Sequence, residues 1–313
     1  MKKIIEYLKV YYKDCFSWRS FTVCVLWAAL LTFFAYENRN YEQWIENIVD
    51  VKLQIFRYII LYALAFTGAF LLQGIVNKNL KFLTSPQWWI LNIIALVVFA
   101  VRGSDIDNLS LIGYQIPNGF YTYAYKIGYN VSGFVWIIIP CFLYWFLVDR
   151  KHMPFYGFHS KGVTFKPYFV LLLLMVPLLT YAATQPDFLR MYPRLSRINV
   201  STDHANYPLL AGIYELVYGL DFVYTEFFFR GFLILAFARK FGHQAILPMC
   251  VFYVTIHFGK PLGETISSFF GGLLLGVIAY QSKSIYGGII VHVGIAYLME
   301  VFAGIGNYYL GNI

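Results

Sequence analysis

The chain has 313 residues, of which 59% are hydrophobic, 20% aromatic and only 13% charged, with a mean hydropathy of +0.60. A soluble domain carries about 25% charged residues, so the composition excludes a water-soluble globular enzyme and predicts a polytopic membrane protein with aromatic belts at its interfaces. The net charge of +8 is met by acidic lipids at basic loops and calls for no nucleic acid.

Residues 1–20 place Lys2, Lys3, Lys9, Lys13 and Arg19 among Ile4, Ile5, Leu8 and Val10. That pattern fits a helix lying on the membrane surface or a solvated tail. The first apolar run begins near Phe21 and has no small-residue cleavage site at its end, so it is expected to stay as the first span. Uncharged runs long enough for about 30 Å of hydrocarbon predict about nine spans, at 20–36, 58–76, 84–101, 127–148, 167–186, 209–235, 245–259, 265–282 and 284–301, the sixth being the exception because it contains Glu215, Asp221, Glu226 and Arg230. The seventh and ninth are short. Short helices are tolerated where neighbouring helices or a wet cavity receive their ends.

With the N-terminus inside, roughly 14 basic residues fall in inner segments and roughly nine in outer ones, so the positive-inside rule favours a cytoplasmic N-terminus. Loop 102–126, with its tyrosines and little charge, is expected to cap the interface. Loop 187–208, bounded by Pro186 and Pro208 and containing Pro193, cannot be one continuous helix. The expected division is an N-terminal helical region, 1–186, and a motif-bearing core, 209–301, joined by loop 187–208. Cys15, Cys24, Cys141 and Cys250 form no C-x-x-C pair and read as small buried hydrophobes.

Chemistry concentrates in three late segments. Tyr224-Thr225-Glu226-Phe227-Phe228-Phe229-Arg230-Gly231 sets a carboxylate and a guanidinium four apart in an apolar run. Phe252-Tyr253-Val254-Thr255-Ile256-His257 and Gly287-Gly288-Ile289-Ile290-Val291-His292 each bring one histidine. Ionisable groups at membrane depth are costly, so they mark a functional site by default. Glu226 and Arg230 read either as an ion pair that locks the helix or as a pair in which Glu226 also holds water. Each histidine reads as a hydrogen-bonded core residue, a metal ligand, or a partner of water shared with a carboxylate. No HExxH is present, which excludes a soluble-type zincin. Glu226, His257 and His292 are expected to line one cavity, with Zn2+ or another divalent metal as a candidate occupant. Gly272 and Gly276 form a GxxxG spacing for close helix packing. Glu215, Asp221, Glu264 and Glu300 are nearby acids, with Glu264 a ready partner for Lys260.

At these residues the chain resembles the CPBP family of intramembrane proteases, which includes type II CAAX prenyl proteases and bacteriocin-processing or self-immunity proteins. The family pattern is Glu-Glu-x-x-x-Arg, then Phe-x-x-x-His, then His-x-x-x-Asn (or Asp). Thr225 stands at the first glutamate, Tyr253 at the phenylalanine and Ala296 at the asparagine. A threonine hydroxyl is no general base near neutral pH, and a missing oxyanion donor typically costs about 10²–10³-fold in rate. The resemblance implies an all-α polytopic transmembrane bundle with its motif-bearing core in the last four spans, in a bacterial plasma membrane. It implies an intramembrane endopeptidase acting on a membrane-associated or prenylated-type substrate, with Glu226, Arg230, His257 and His292 as catalytic candidates. Glu264 and Glu300 are secondary candidates for the carboxylate that Thr225 lacks. The rival reading is a non-catalytic relative that binds a peptide or membrane protein, as in self-immunity. A transporter is disfavoured because no repeat halves or paired broken helices occur.

Overall fold

The computed structural model describes residues 1–106, 116, 119–160 and 163–310. All regular structure among them is helical, with no strand. Six helices are long and apolar enough to cross a membrane: Trp18–Arg39, Val51–Val76, Pro86–Gly103, Tyr121–Asp149, Leu262–Ser282 and Tyr286–Leu310. The other three expected spans correspond to the 17-residue Lys166–Ala182 helix, to the charged run of Tyr207–Glu226 and Phe227–Ala236, and to the 10-residue Ile246–Thr255 helix. The chain is thus an all-α polytopic bundle and an integral membrane protein. The expected cap in loop 102–126 lies partly outside the described residues, and Lys161 of the 149–166 loop lies outside them.

Local chemistry sets the helix ends. Ser17, Asp50 and Ser85 are N-caps whose side-chain oxygens accept backbone N–H groups of the first turn, as short polar residues do at that position. Asp50 starts the second span seven residues earlier than expected. Arg57 lies inside that helix, donating to the Trp44 carbonyl at 2.7 Å and resting over its ring. The Ile246–Thr255 helix stops early because Gly259 has φ +79°, a left-handed conformation that favours glycine, and Pro261 follows. The last helix runs to Leu310, nine residues beyond the expected end, because the sequence after Glu300 stays apolar. Lys2–Asp14 is helical and buries Ile4 and Tyr11. No cysteine is in a disulfide, and Cys24, Cys141 and Cys250 are buried.

The chain forms two compact units. One comprises Met1–Asp105, Trp136–Val163 and Phe227–Gly288. Its interior is a phenylalanine core in which Phe66, Phe99, Phe228, Phe229 and Phe252 meet at ring-centroid distances of 4.5–5.9 Å, the range where offset and edge contacts are favourable. A Cβ at Gly272 would touch Tyr253 at 3.2 Å, and one at Gly276 would meet Met249 at 2.8 Å. The GxxxG face therefore lets Leu262–Ser282 pack closely on Ile246–Thr255. At another point the buried Asp149 carboxylate pairs with Arg239 and accepts the Tyr156 hydroxyl at 2.8 Å.

The other unit comprises Ile106–Val135, Thr164–Glu226 and Ile289–Ile313. Its 187–208 segment is broken into helix Pro186–Met191 and the 3-10 turn Arg194–Arg197, as its prolines require. Phe188, Leu189 and Tyr192 pack on Ala303, while Ile198 packs with Tyr123 and Tyr214. The segment is thus anchored by its own apolar side chains.

Candidate active site

Glu226 is the last residue of the Tyr207–Glu226 α-helix, and the ten residues after it are π-helical and all buried. Wide π-helical turns inside helices recur at functional sites. The α-helical geometry assumed for the Glu226-to-Arg230 spacing ends at Glu226. Glu226 is fully buried, and its Oε1 lies 2.8 Å from Nδ1 of His292, whose side chain is 14% exposed. Glu226 and His292 are thus brought within hydrogen-bonding distance. The Phe222 ring packs edge-on against the imidazole, with centroids 4.7 Å apart. Phe222 is one helical turn before Glu226, so its place beside the site was readable from the four-residue spacing.

The hydrogen bond fixes which imidazole nitrogen is available. A carboxylate only accepts, so His292 donates through Nδ1–H and the neutral ring carries its lone pair on Nε2. The second shell of a reactive histidine sets its tautomer in this way. The arrangement suits proton abstraction at Nε2, with Glu226 holding the ring and stabilising the imidazolium that forms.

A second set of residues lies within the other unit. Arg230 is fully buried, with its guanidinium over the Tyr253 ring at 4.4 Å from the centroid. The Tyr253 carbonyl accepts a hydrogen bond from His257 Nδ1 at 2.8 Å, and the two rings meet edge-on at 4.7 Å. Tyr253 therefore joins Arg230 to His257. His257, too, is set as the tautomer with its lone pair on Nε2. It sits in the turn just beyond the Ile246–Thr255 helix, and its own carbonyl accepts the Thr265 hydroxyl at 2.7 Å. Tyr36 donates to the Lys260 carbonyl at 2.6 Å, and its hydroxyl oxygen lies 2.6 Å from that of Thr265. Sequence reading missed Tyr36 and Thr265. Tyr36 is more than 200 residues away from the turn it holds, and no local pattern marks such a pairing.

The secondary candidates have other partners. Glu264 forms the ion pair with Lys260 that the four-residue spacing suggested, at 2.8 Å. Glu300 accepts the backbone N–H groups of Arg194 and Leu195 at 2.7 and 3.0 Å, one on each carboxylate oxygen. It thereby ties the last helix to the 187–208 segment. Ala296, at the position of the expected amide, is buried at 2% exposure. Among the described residues, no group of three or more His, Cys, Asp and Glu side chains is arranged to hold a metal ion.

Residues 208–298 match the family model described as type II CAAX prenyl endopeptidase Rce1-like. No curated protein and no solved structure matches the chain. The matched stretch, under a third of the chain, contains Glu226, Arg230, His257 and His292, and it is this stretch that is similar to the type II CAAX prenyl endopeptidase Rce1-like family.

Proposed function

We propose that the chain is a CAAX-protease-like intramembrane endopeptidase that hydrolyses a peptide bond in a membrane-associated or prenylated substrate. The observation that carries this reading is the buried Glu226–His292 pair inside the family-matched stretch. Water adds through its oxygen to the scissile carbonyl carbon, and its proton passes to His292 Nε2. Collapse of the tetrahedral intermediate breaks the C–N bond, and the same proton goes to the leaving amine. The Glu226 carboxylate holds the ring and stabilises the imidazolium between these steps. This assigns the proton transfer to His292, where the sequence reading had water activated by Glu226 or another carboxylate with His257, or held by a metal, and His292 steadying the oxyanion. His257, with its tautomer set by Tyr253, is a further candidate base, and His257→Ala in the cleavage assay below tests it. The protein is taken to lie in a bacterial plasma membrane with its N-terminus cytoplasmic, which the loop charge bias supports.

A second reading is favoured by Thr225 and Ala296. With neither the first motif glutamate nor the amide, the chain would bind a peptide or membrane protein without cutting it. One experiment separates the two. The full chain in lipid nanodiscs is incubated with quenched-fluorescent peptides with and without a prenylated cysteine, with products identified by mass and metal content measured in parallel. The endopeptidase reading expects cleavage that is lost in His292→Ala and rises in Thr225→Glu. Saturable peptide binding with no cleavage supports the binder, and cleavage unaffected by His292→Ala and Glu226→Gln rejects the assigned machinery. Impermeant thiol labelling at Ser196→Cys but not Lys151→Cys is expected for the proposed orientation.

A further inference from the structure

Within the unit that holds the phenylalanine core, a cavity of about 220 Å³ opens between the 153–159 loop, the 235–239 segment and the 282–286 turn. Among the described residues its polar lining is basic, His159, Arg239 and Lys283, with Met153 and Leu235 among the apolar walls and no acidic side chain. Asp149, the carboxylate nearest in this network, is fully buried and engaged by Arg239 and by the Tyr156 hydroxyl. Lys283 rests its ammonium 4.1 Å over the Tyr280 ring and has no carboxylate partner among the described residues. The Nδ1 of His159 is buried with no hydrogen-bond partner, although buried polar atoms are nearly always satisfied.

The walls are held in place by the backbone. The Ser284 hydroxyl donates to the His159 carbonyl at 2.7 Å, and the Ile285 N–H donates to the Gly157 carbonyl at 3.1 Å. Gly157 has φ +84°, and a Cβ there would meet Leu235 at 2.8 Å, so only glycine lets the loop close on this segment. Lys283 immediately follows the Leu262–Ser282 span, and Asp149 ends the Tyr121–Asp149 span. The cavity therefore lies at the level where spans end and headgroups begin.

We propose that this cavity is a binding site for a phosphate group, held by Lys283, His159 and the outer face of Arg239. A recess lined by the cationic Lys283 and Arg239 side chains and by apolar walls fits a phosphodiester better than an apolar ligand or a cation. The phosphate can come from an anionic lipid headgroup or from a free phosphate, and the test separates them. The full chain in neutral detergent is titrated with dihexanoyl phosphatidylglycerol, dihexanoyl phosphatidylcholine and inorganic phosphate, followed by tryptophan fluorescence and native mass spectrometry. Saturable binding of phosphatidylglycerol, in preference to phosphatidylcholine, is expected to weaken at least about tenfold in Lys283→Gln and in Ala238→Phe, which fills the cavity. Lys240→Gln, which removes the same charge outside the lining, is expected to bind as the parent does. Binding of phosphatidylglycerol without inorganic phosphate identifies a lipid site, and competition by inorganic phosphate at comparable concentration identifies a free-phosphate site. Absence of saturation by either probe overturns the proposal. So does equal weakening by Lys240→Gln and Lys283→Gln, which would mean diffuse surface charge. If Lys283→Gln does not fold, the same comparison is made with His159→Ala.

Discussion

Replacing Glu226 by glutamine tests the assigned chemistry directly, because it keeps the shape of the side chain and removes its charge. Glu226 is fully buried and bonded to His292 Nδ1 at 2.8 Å, so water cannot take the place of the carboxylate. A hydrogen bond to a charged group contributes about 1.5–3 kcal/mol. In the proposed reaction this contribution is largest when the imidazole is protonated, in the transition state. Since about 1.4 kcal/mol is tenfold in rate, Glu226→Gln is expected to lower kcat by roughly ten- to a hundredfold with KM little changed. The glutamine amide can also donate to Nδ1 and force the proton to Nε2, which would deepen the loss. Glu226→Ala, which leaves the His292 donor without an acceptor, should lower thermal stability as well. The assay is steady-state cleavage of the best quenched-fluorescent peptide in nanodiscs, with the melting temperature of each variant measured alongside. A Glu226→Gln protein with parental kcat and parental melting temperature would refute the role given to this pair.

Asp149→Ala is expected to destabilise the protein by about 3–5 kcal/mol, because it strands both the Arg239 guanidinium and the buried Tyr156 hydroxyl; Tyr156→Phe alone should cost about 1 kcal/mol, and chemical denaturation in detergent measures both. Tyr253→Leu removes the face on which Arg230 rests but keeps the backbone carbonyl that holds His257; a loss of roughly 2 kcal/mol is expected from the buried cation–π contact, and an unchanged melting temperature would argue against it. Gly231→Ala would bring a Cβ to 2.8 Å from the Tyr156 carbonyl oxygen, an overpacking expected to cost about 1–3 kcal/mol. Burial pushes the His243 imidazole below its ordinary value of 6.5, so the folded state binds fewer protons than the unfolded state. The stability from this group is present above about pH 6.5 and is lost as the pH falls through the folded-state pKa, and His243→Gln should flatten that part of a stability profile measured between pH 7 and 5.

The membrane class and the helical fold follow from composition and from the length of the uncharged runs, because hydrocarbon admits only backbones that satisfy their own hydrogen bonds. The four motif residues were also legible, since ionisable groups are rare enough in apolar helices to stand out one by one. The bond between Glu226 and His292, 66 residues apart, depends on how two helices pack, and a linear pattern does not encode that. The same holds for the partners of the secondary acids. The Lys260–Glu264 pair was readable because a four-residue spacing is a local geometry. The capture of two backbone N–H groups by Glu300 was not, because its partners lie about 105 residues away. Helix ends divided in the same way. Caps and glycines with positive φ act within a few residues, but the length of the last helix and the early stop before His257 shifted the expected boundaries. The tautomer of His292 belongs wholly to the tertiary structure, because only the folded chain brings the Glu226 carboxylate, 66 residues away, to its Nδ1, whereas that of His257 is set within four residues by the Tyr253 carbonyl.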